Sequence, residues 1–262
     1  MTEGYPVLSV KDLLMGYHTS GENIQVSGSV NFDLFPGELA AVVGPNGVGK
    51  STLLRTLAGV HPPLGGDITL NNRSLKSYSA KDLATNLSIV LTEKIPAGNL
   101  TAAELIALGR QPYTNWLGSL SETDKSVVRS VLEKLDLKEL HNKACGAMSD
   151  GQLQRVMIGR ALAQDTPLIL LDEPTSHLDI YHKAYIFKLL RTIAHDTKKT
   201  ILFSSHEIDL AIQLCDKILV LQPREAGFGD PCSLIEQGSF QSLFPSDLIK
   251  FDSRSGSFRI KK

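Results

Sequence analysis

Gly44-Pro45-Asn46-Gly47-Val48-Gly49-Lys50-Ser51-Thr52 constrains the fold of this chain more than any other stretch. It fits G-x-x-x-x-G-K-[ST], the pattern of a loop that wraps nucleotide phosphates between a strand and a helix. The flanks supply both elements. Leu39-Ala40-Ala41-Val42-Val43 is a short apolar run that predicts a buried strand, and Ser51 to Ala58 has helical apolar spacing that stops at Gly59, with Pro62 beyond. Glycines there let the backbone turn tightly, so that several N–H groups aim at one anion. The positive end of the new helix adds to the attraction. Lys50 would reach the β- and γ-phosphates, and the Ser51 hydroxyl would hold Mg²⁺. The plain alternative is a glycine-rich turn without a ligand; the strand and helix on either side argue against it.

At 262 residues the chain suits one large α/β domain or two small ones, and its composition is that of a globular protein with a sizeable core. A net charge of −1, with no block of like charges, argues against an electrostatic nucleic-acid binder. The start, Met1-Thr2-Glu3-Gly4-Tyr5-Pro6, has neither the basic patch nor the apolar stretch of a secretory leader. No run of about eighteen apolar residues is present to span a membrane. Cys145, Cys215 and Cys232 lie far apart, odd in number and outside any metal-ligand spacing, so free thiols in a reducing, cytosolic compartment are expected.

Residues 7 to about 43 read as mostly strand, with partial alternation over Val7–Val10 and Ile24–Leu34 and a turn at Phe35-Pro36-Gly37-Glu38. Gly65 to Asn72 reads as turn, strand and turn, and Leu87 to Leu91 as a core strand. From about Thr101 to Leu140 the pattern becomes helical. Thr101 starts one capped helix, and Ser121-Glu122-Thr123-Asp124 opens another that runs through Val128, Val131, Leu132 and Leu135. A helical insertion over about 94–150 is therefore expected to divide an α/β core. Ile169-Leu170-Leu171 and Ile201-Leu202-Phe203, separated by a helical pattern from about Asp179 to Ala194, suggest parallel strands with helix crossovers. The tail, about 223–262, reads as a short β extension: Ser233 to Gly238 as strand and turn, Phe258-Arg259-Ile260 as a last strand.

Two further motifs carry chemistry. Pro167-Leu168-Ile169-Leu170-Leu171-Asp172-Glu173 is an apolar strand ending in two carboxylates, at the strand end where open α/β sheets bind ligands. Asp172 would orient Mg²⁺ or its waters, and Glu173, pointing elsewhere, could polarise an attacking water. Met148-Ser149-Asp150-Gly151-Gln152 lies upstream. Ser149 and Gln152 fit a helix capping box ahead of Val156, Met157, Ile158, Ala161 and Leu162. A capped helix start also offers N–H donors to a phosphate.

From Val7 to about Gly238 the order of these motifs resembles the ATP-binding cassette family. The resemblance implies an α/β P-loop NTPase core with a mainly parallel sheet, an N-terminal antiparallel β subdomain and an inserted α-helical subdomain, all in a single ATPase domain spanning 1–262. It implies Gly44 to Thr52 as the ATP-binding loop, Tyr17 as the aromatic residue stacked on adenine, Glu173 as general base and His206, in Ser204-Ser205-His206, as the switch histidine at the γ-phosphate. It implies Ser149, Asp150, Gly151 and Gln152 as the signature that faces the ATP of a second copy, and Asp179 as part of the loop crossing between copies. The signature departs from L-S-G-G-Q at Met148 and Asp150, while Ser149 and Gly151 are retained. The family's Gln after the strand at Leu87–Leu91 is missing; Thr92 is nearest by spacing, and Glu93 is the better oxygen donor for Mg²⁺. Leu108-Gly109-Arg110-Gln111-Pro112-Tyr113 resembles the L-G-R-x-P-Y stretch of importer ATPases for iron siderophores, haem and cobalamin; its plain reading is a helix end broken at Pro112.

The resemblance thus implies an ATPase, using ATP and Mg²⁺, that pairs with a second copy and powers a transmembrane permease, indirectly served by a substrate-binding protein, at the cytoplasmic face of a bacterial membrane. The alternative is a soluble cassette ATPase of iron–sulfur cluster assembly or a regulatory scaffold. No nucleic-acid partner is expected, since the long coiled coils and basic linkers of such cassettes are absent.

Overall fold

The computed structural model describes residues 4–19, 22–26, 28–92, 98–116, 118–244 and 247–261. Its N-terminal part is antiparallel. Strands β1 (Leu8–Leu14), β4 (Val30–Leu34), β6 (Gly65–Leu70) and β7 (Arg73–Ser74) pair in the order β4-β1-β6-β7, and β2 (Gly16–Thr19) and β3 (Glu22–Gln25) form a separate hairpin. The stretch Ile24–Leu34, read from its alternation as continuous strand, is split: β3 ends, Val26 N–H bonds to the Met15 carbonyl, and β4 starts afresh.

The main sheet has the order β12-β11-β5-β10-β9-β8, from β5 (Leu39–Val43), β8 (Leu87–Val90), β9 (Leu168–Leu171), β10 (Thr200–Ser204), β11 (Lys217–Leu221) and β12 (Ala226–Gly229). All its pairs are parallel except β11 with β12. Strands β5, β9 and β10 are buried at every residue, as a parallel sheet covered on both faces requires. Alternation within β5 divides the core. Leu39, Ala41 and Val43 join α3 (Ala102–Ala107), α4 (Glu122–Lys134), α5 (Asp150–Ala163) and α6 (Ile180–Thr197) on one face. Ala40 and Val42 pack on the other against α1 (Lys50–Leu57) and the N-terminal sheet. Helices α2 (Ala80–Ala84) and α7 (Ile208–Leu214) complete the crossovers.

Helices α3, α4 and α5 each open with a reciprocal capping box, Thr101 with Glu104, Ser121 with Asp124 and Ser149 with Gln152, which satisfies end N–H groups that water would otherwise have to serve. Asp124 does a second job. Arg110 comes from the short 3₁₀ helix Leu108–Tyr113 and is buried with Asp124; its Nε donates to Asp124 Oδ1 at 2.8 Å and its Nη1 to the Ala163 carbonyl at 2.8 Å. The guanidinium also lies 4.0 Å from the centre of the Tyr113 ring. The Ser121 hydroxyl, and then Arg110, hold the Asp124 carboxyl down at about 2. A lowered folded value means that this contribution is complete above about pH 4 and is lost as pH falls toward 2. Asp124→Ala leaves a buried guanidinium unpaired and should lower the unfolding free energy by about 3–5 kcal/mol in urea titrations at neutral pH. An unchanged midpoint would show that the pair is not holding the helical block.

The tail corrects one expectation. Ser233 to Glu236 is not strand but the end of a helix, α8 (Pro231–Glu236), while Gln237 and Gly238 form the expected turn. Asp230 caps it by accepting the Ser233 N–H, and Pro231 sits at the first helical position, where it has no N–H to waste. A hairpin of β13 (Ile249–Asp252) and β14 (Ser257–Ile260) follows, joined to α8 and α7 through Phe240, Phe244, Phe251 and Phe258. Among the described residues, no helix is long and apolar enough to cross a membrane.

Candidate functional site

Parallel β5, β10 and β9 lie side by side, with Ser204 level with Val42 and Phe203 level with Leu171. Their carboxyl ends therefore deliver the loop after Val43, the carboxylates after Leu171 and His206 to one place. The loop is held in a left-handed conformation at Gly47 (φ 77°) and Gly49 (φ 106°). A Cβ on Gly49 would also stand 2.7 Å from Val26 Cγ1, so glycine is needed there twice over. Gly49 caps α1 without any side-chain bond, so the first N–H groups of that helix are left for a ligand or water.

Lys50 is buried, and its Nζ donates to the carbonyls of Gly44 at 3.0 Å and Pro45 at 3.2 Å. Burial pulls its pKa down from the ordinary lysine value, while Glu173 and then Asp172 push it back up. Asp172 collects three hydroxyls. Ser51 and Ser204 donate to Oδ1 at 3.0 and 2.7 Å, and Thr92 donates to Oδ2 at 2.8 Å. Glu173 sits in the left-handed region (φ 48°), and its N–H donates to Ser204 Oγ at 2.8 Å. A residue other than glycine is strained there, and from this backbone the Glu173 side chain reaches His206. Glu173 Oε1 lies 2.6 Å from His206 Nε2. A carboxylate can only accept, so Nε2 carries the proton, and Nδ1, 3.5 Å from Lys50 Nζ, is left to face the ammonium.

Lys50, Ser51, Glu173 and His206 line a cavity of about 540 Å³ together with Val26 and Tyr17. Tyr17 is 46% exposed, its OH lies 2.8 Å from Thr52 Oγ1, and its ring meets the His61 ring edge-on. Asn46 and Gly47 line the cavity as well, and Val48, inside the loop, is buried. Glu93 lies outside the described residues.

The signature residues stand elsewhere. Ser149 caps α5, Gln152 Oε1 accepts from Lys143 Nζ at 3.1 Å, and Asp150 is exposed in the first turn. Together with Gly151, Ser149 and Gln152 edge a second cavity of about 230 Å³ that, among the described residues, shares no lining residue with the first. Asp179 caps α6 beside it, accepting the His182 N–H at 2.9 Å, and that bond with a second from the His182 ring keeps its carboxyl below the ordinary aspartate value. Three contributors escaped the sequence reading: Ser204, which bonds both Asp172 and Glu173; Val26, against Gly49; and His182. Ser204 had a signal, as the first residue of Ser-Ser-His, but its partners are a strand away.

A phosphate loop leaving the middle of a parallel sheet, with an acid pair and a histidine on the neighbouring strand ends, defines a P-loop nucleotide hydrolase. Residues 28–176 match the ABC transporter family, and the chain belongs to that family as an ATP-hydrolysing cassette. It is 34% identical to the petrobactin import ATP-binding protein FpuD of Bacillus anthracis, over 90% of this chain and 86% of that one. It is 32% identical to the iron(3+)-hydroxamate import ATP-binding protein FhuC of Bacillus subtilis, over 93% and 86%. Its fold matches the cassette MJ0796, solved as a dimer in a post-hydrolysis state with ADP and Pi, at a TM-score of 0.71 and 27% identity over 86% of this chain and 98% of that one.

Proposed function

We propose that this chain is the ATPase subunit of an importer for an iron complex, a siderophore or haem, or for cobalamin, working as a pair of copies under a transmembrane permease at the cytoplasmic face of the membrane. A substrate-binding protein outside would feed the permease. The observation that carries the paired arrangement is the separation of the two cavities: the phosphate loop and the signature open on different clefts of one chain. Each ATP is then held by the loop of one copy and by Ser149 and Gly151 of the other. The import reading rests on relatives named as import proteins across nine-tenths of the chain.

Within one half-site, Gly47, Gly49 and the start of α1 bind phosphate oxygens, Lys50 turns from the Gly44 and Pro45 carbonyls to the β- and γ-phosphates, and Tyr17 stacks on the base. Glu173 takes the proton of the attacking water, and His206, which holds Glu173 through its Nε2–H in the empty site, turns that N–H to the γ-phosphate when ATP binds. Asp172 with its hydroxyl partners Ser51 and Thr92 is an all-oxygen donor set suited to a hard cation, and these are the residues that would hold Mg²⁺. Bound there, Mg²⁺ would neutralise charge on the phosphates. Loss of the γ-phosphate removes the contacts that favour the closed pair, and the copies part.

The permease contact we assign to the Leu108–Tyr113 stretch. Gly109 lets it lie against α5, since a Cβ there would fall 2.1 Å from the Arg160 carbonyl oxygen, and Tyr113 OH donates to the Gln164 carbonyl at 3.0 Å. With Ala80, Lys81, Ala84 and Gln164 it walls a cavity of about 530 Å³, while Leu108 and Trp116 stand exposed. The test is co-expression with candidate permeases. A many-helix membrane protein should copurify, and ATPase activity in vesicles should rise when an iron-loaded or cobalamin-loaded binding protein is added. A chain that neither copurifies nor responds to any such cargo overturns the import reading.

A further inference from the structure

We propose that His182 is a positioning residue that fastens the crossing loop at Asp179 to the signature turn at Gly151, so that the two segments a chain presents to its partner move as one piece. The proposal rests on the paired-copy reading. His182 sits on the first turn of α6 and makes two contacts with one ring. Nδ1 lies 2.8 Å from Asp179 Oδ2, and since the carboxylate can only accept, Nδ1 carries the proton. The other edge of the ring lies over Gly151: a Cβ on Gly151 would stand 3.1 Å from His182 Cδ2. The ring thus fills the space a side chain at 151 would take and braces the start of α5. The Tyr181 ring meets it edge-on at 5.5 Å and 88°.

The same turn also reaches the chain's own ATP site. Lys183, the next residue, pairs with Glu207, the neighbour of His206. A shift at His206 on loss of phosphate has a short physical route through α6 to both partner-facing segments. A half-exposed histidine at a helix start is ordinarily a solvated residue. Here the ring is held on both sides, by a carboxylate and by close packing over Gly151.

The test uses purified full-length chain with MgATP. His182→Ala should lower kcat by roughly 10- to 100-fold, the scale of a misplaced catalytic geometry. The dissociation constant of a fluorescent ATP analogue on the single chain should stay put, because the phosphate loop lines the other cavity. His182→Asn keeps an N–H where Nδ1 was and an oxygen where Cδ2 was, and should restore most of the lost turnover. A merely structural role predicts instead that stability falls and that Asn is no better than Ala. Pairing separates the hypotheses further. Glu173→Gln should pair on ATP in size-exclusion chromatography, and Glu173→Gln with His182→Ala should pair poorly. If Glu173→Gln alone stays single, the paired-copy reading fails. If it pairs and adding His182→Ala changes nothing, or if His182→Ala turns over at the full rate, the His182 proposal is overturned.

Discussion

Glu173→Gln is expected to cut ATP turnover by about 10²–10⁴-fold while leaving ATP bound. The contrast follows from what the substitution keeps. Gln Oε1 still accepts the His206 Nε2–H that Glu173 Oε1 meets at 2.6 Å, and the N–H of residue 173 still donates to Ser204 Oγ. Backbone and side chain therefore stay in place, and only the ability to take a proton goes. Phosphoryl transfer asks a protein chiefly for positioning and charge, so the remaining site should hold ATP and stall. A single-turnover assay with radiolabelled ATP and a filter-binding measurement would read the two effects separately. Hydrolysis at full rate would sink the assignment of Glu173; lost binding would mean that it holds the nucleotide instead.

Lys50→Ala should strike the other quantity. Nucleotide affinity is expected to fall by about 10- to 100-fold, the scale of one hydrogen bond to a charged group. Lys50 is buried between two loop carbonyls on one side and Glu173 and Asp172 on the other. Without the ammonium, those carboxylates face the phosphates uncompensated, which adds repulsion to the lost contact. Because Nζ bonds carbonyls of its own loop, the substitution also loosens the loop in the empty site. Arginine is not a safe replacement, since its planar fork does not fit a point-charge position. Fluorescent-analogue titration would give the shift directly, and an unchanged affinity would count against the loop as the phosphate site.

How far the chain could be read without its structure depended on how local each feature is. Capping boxes at Thr101, Ser121 and Ser149 were readable because both partners lie three residues apart. The same locality made Asp230-Pro231 a usable helix start, yet the apolar Leu234-Ile235 pair drew the reading toward strand; short apolar runs are ambiguous by period alone. Arg110 illustrates the opposite case. Its motif was visible, but its buried partner Asp124 and the carbonyl of Ala163 were not, because they come from α4 and α5.

By itself, the sequence determined the phosphate loop, the acid pair at the end of an apolar strand and the capped signature helix, because each is a short pattern whose chemistry is set by residues in series. Only the tertiary structure decided that β10 lies between β5 and β9, and with it that Ser204 bridges Asp172 and Glu173, that Glu173 turns toward His206, and that His182 covers Gly151. Strand order and helix contacts are set by burial of apolar surface, which is non-directional and sums over the whole chain, so no local pattern carries them.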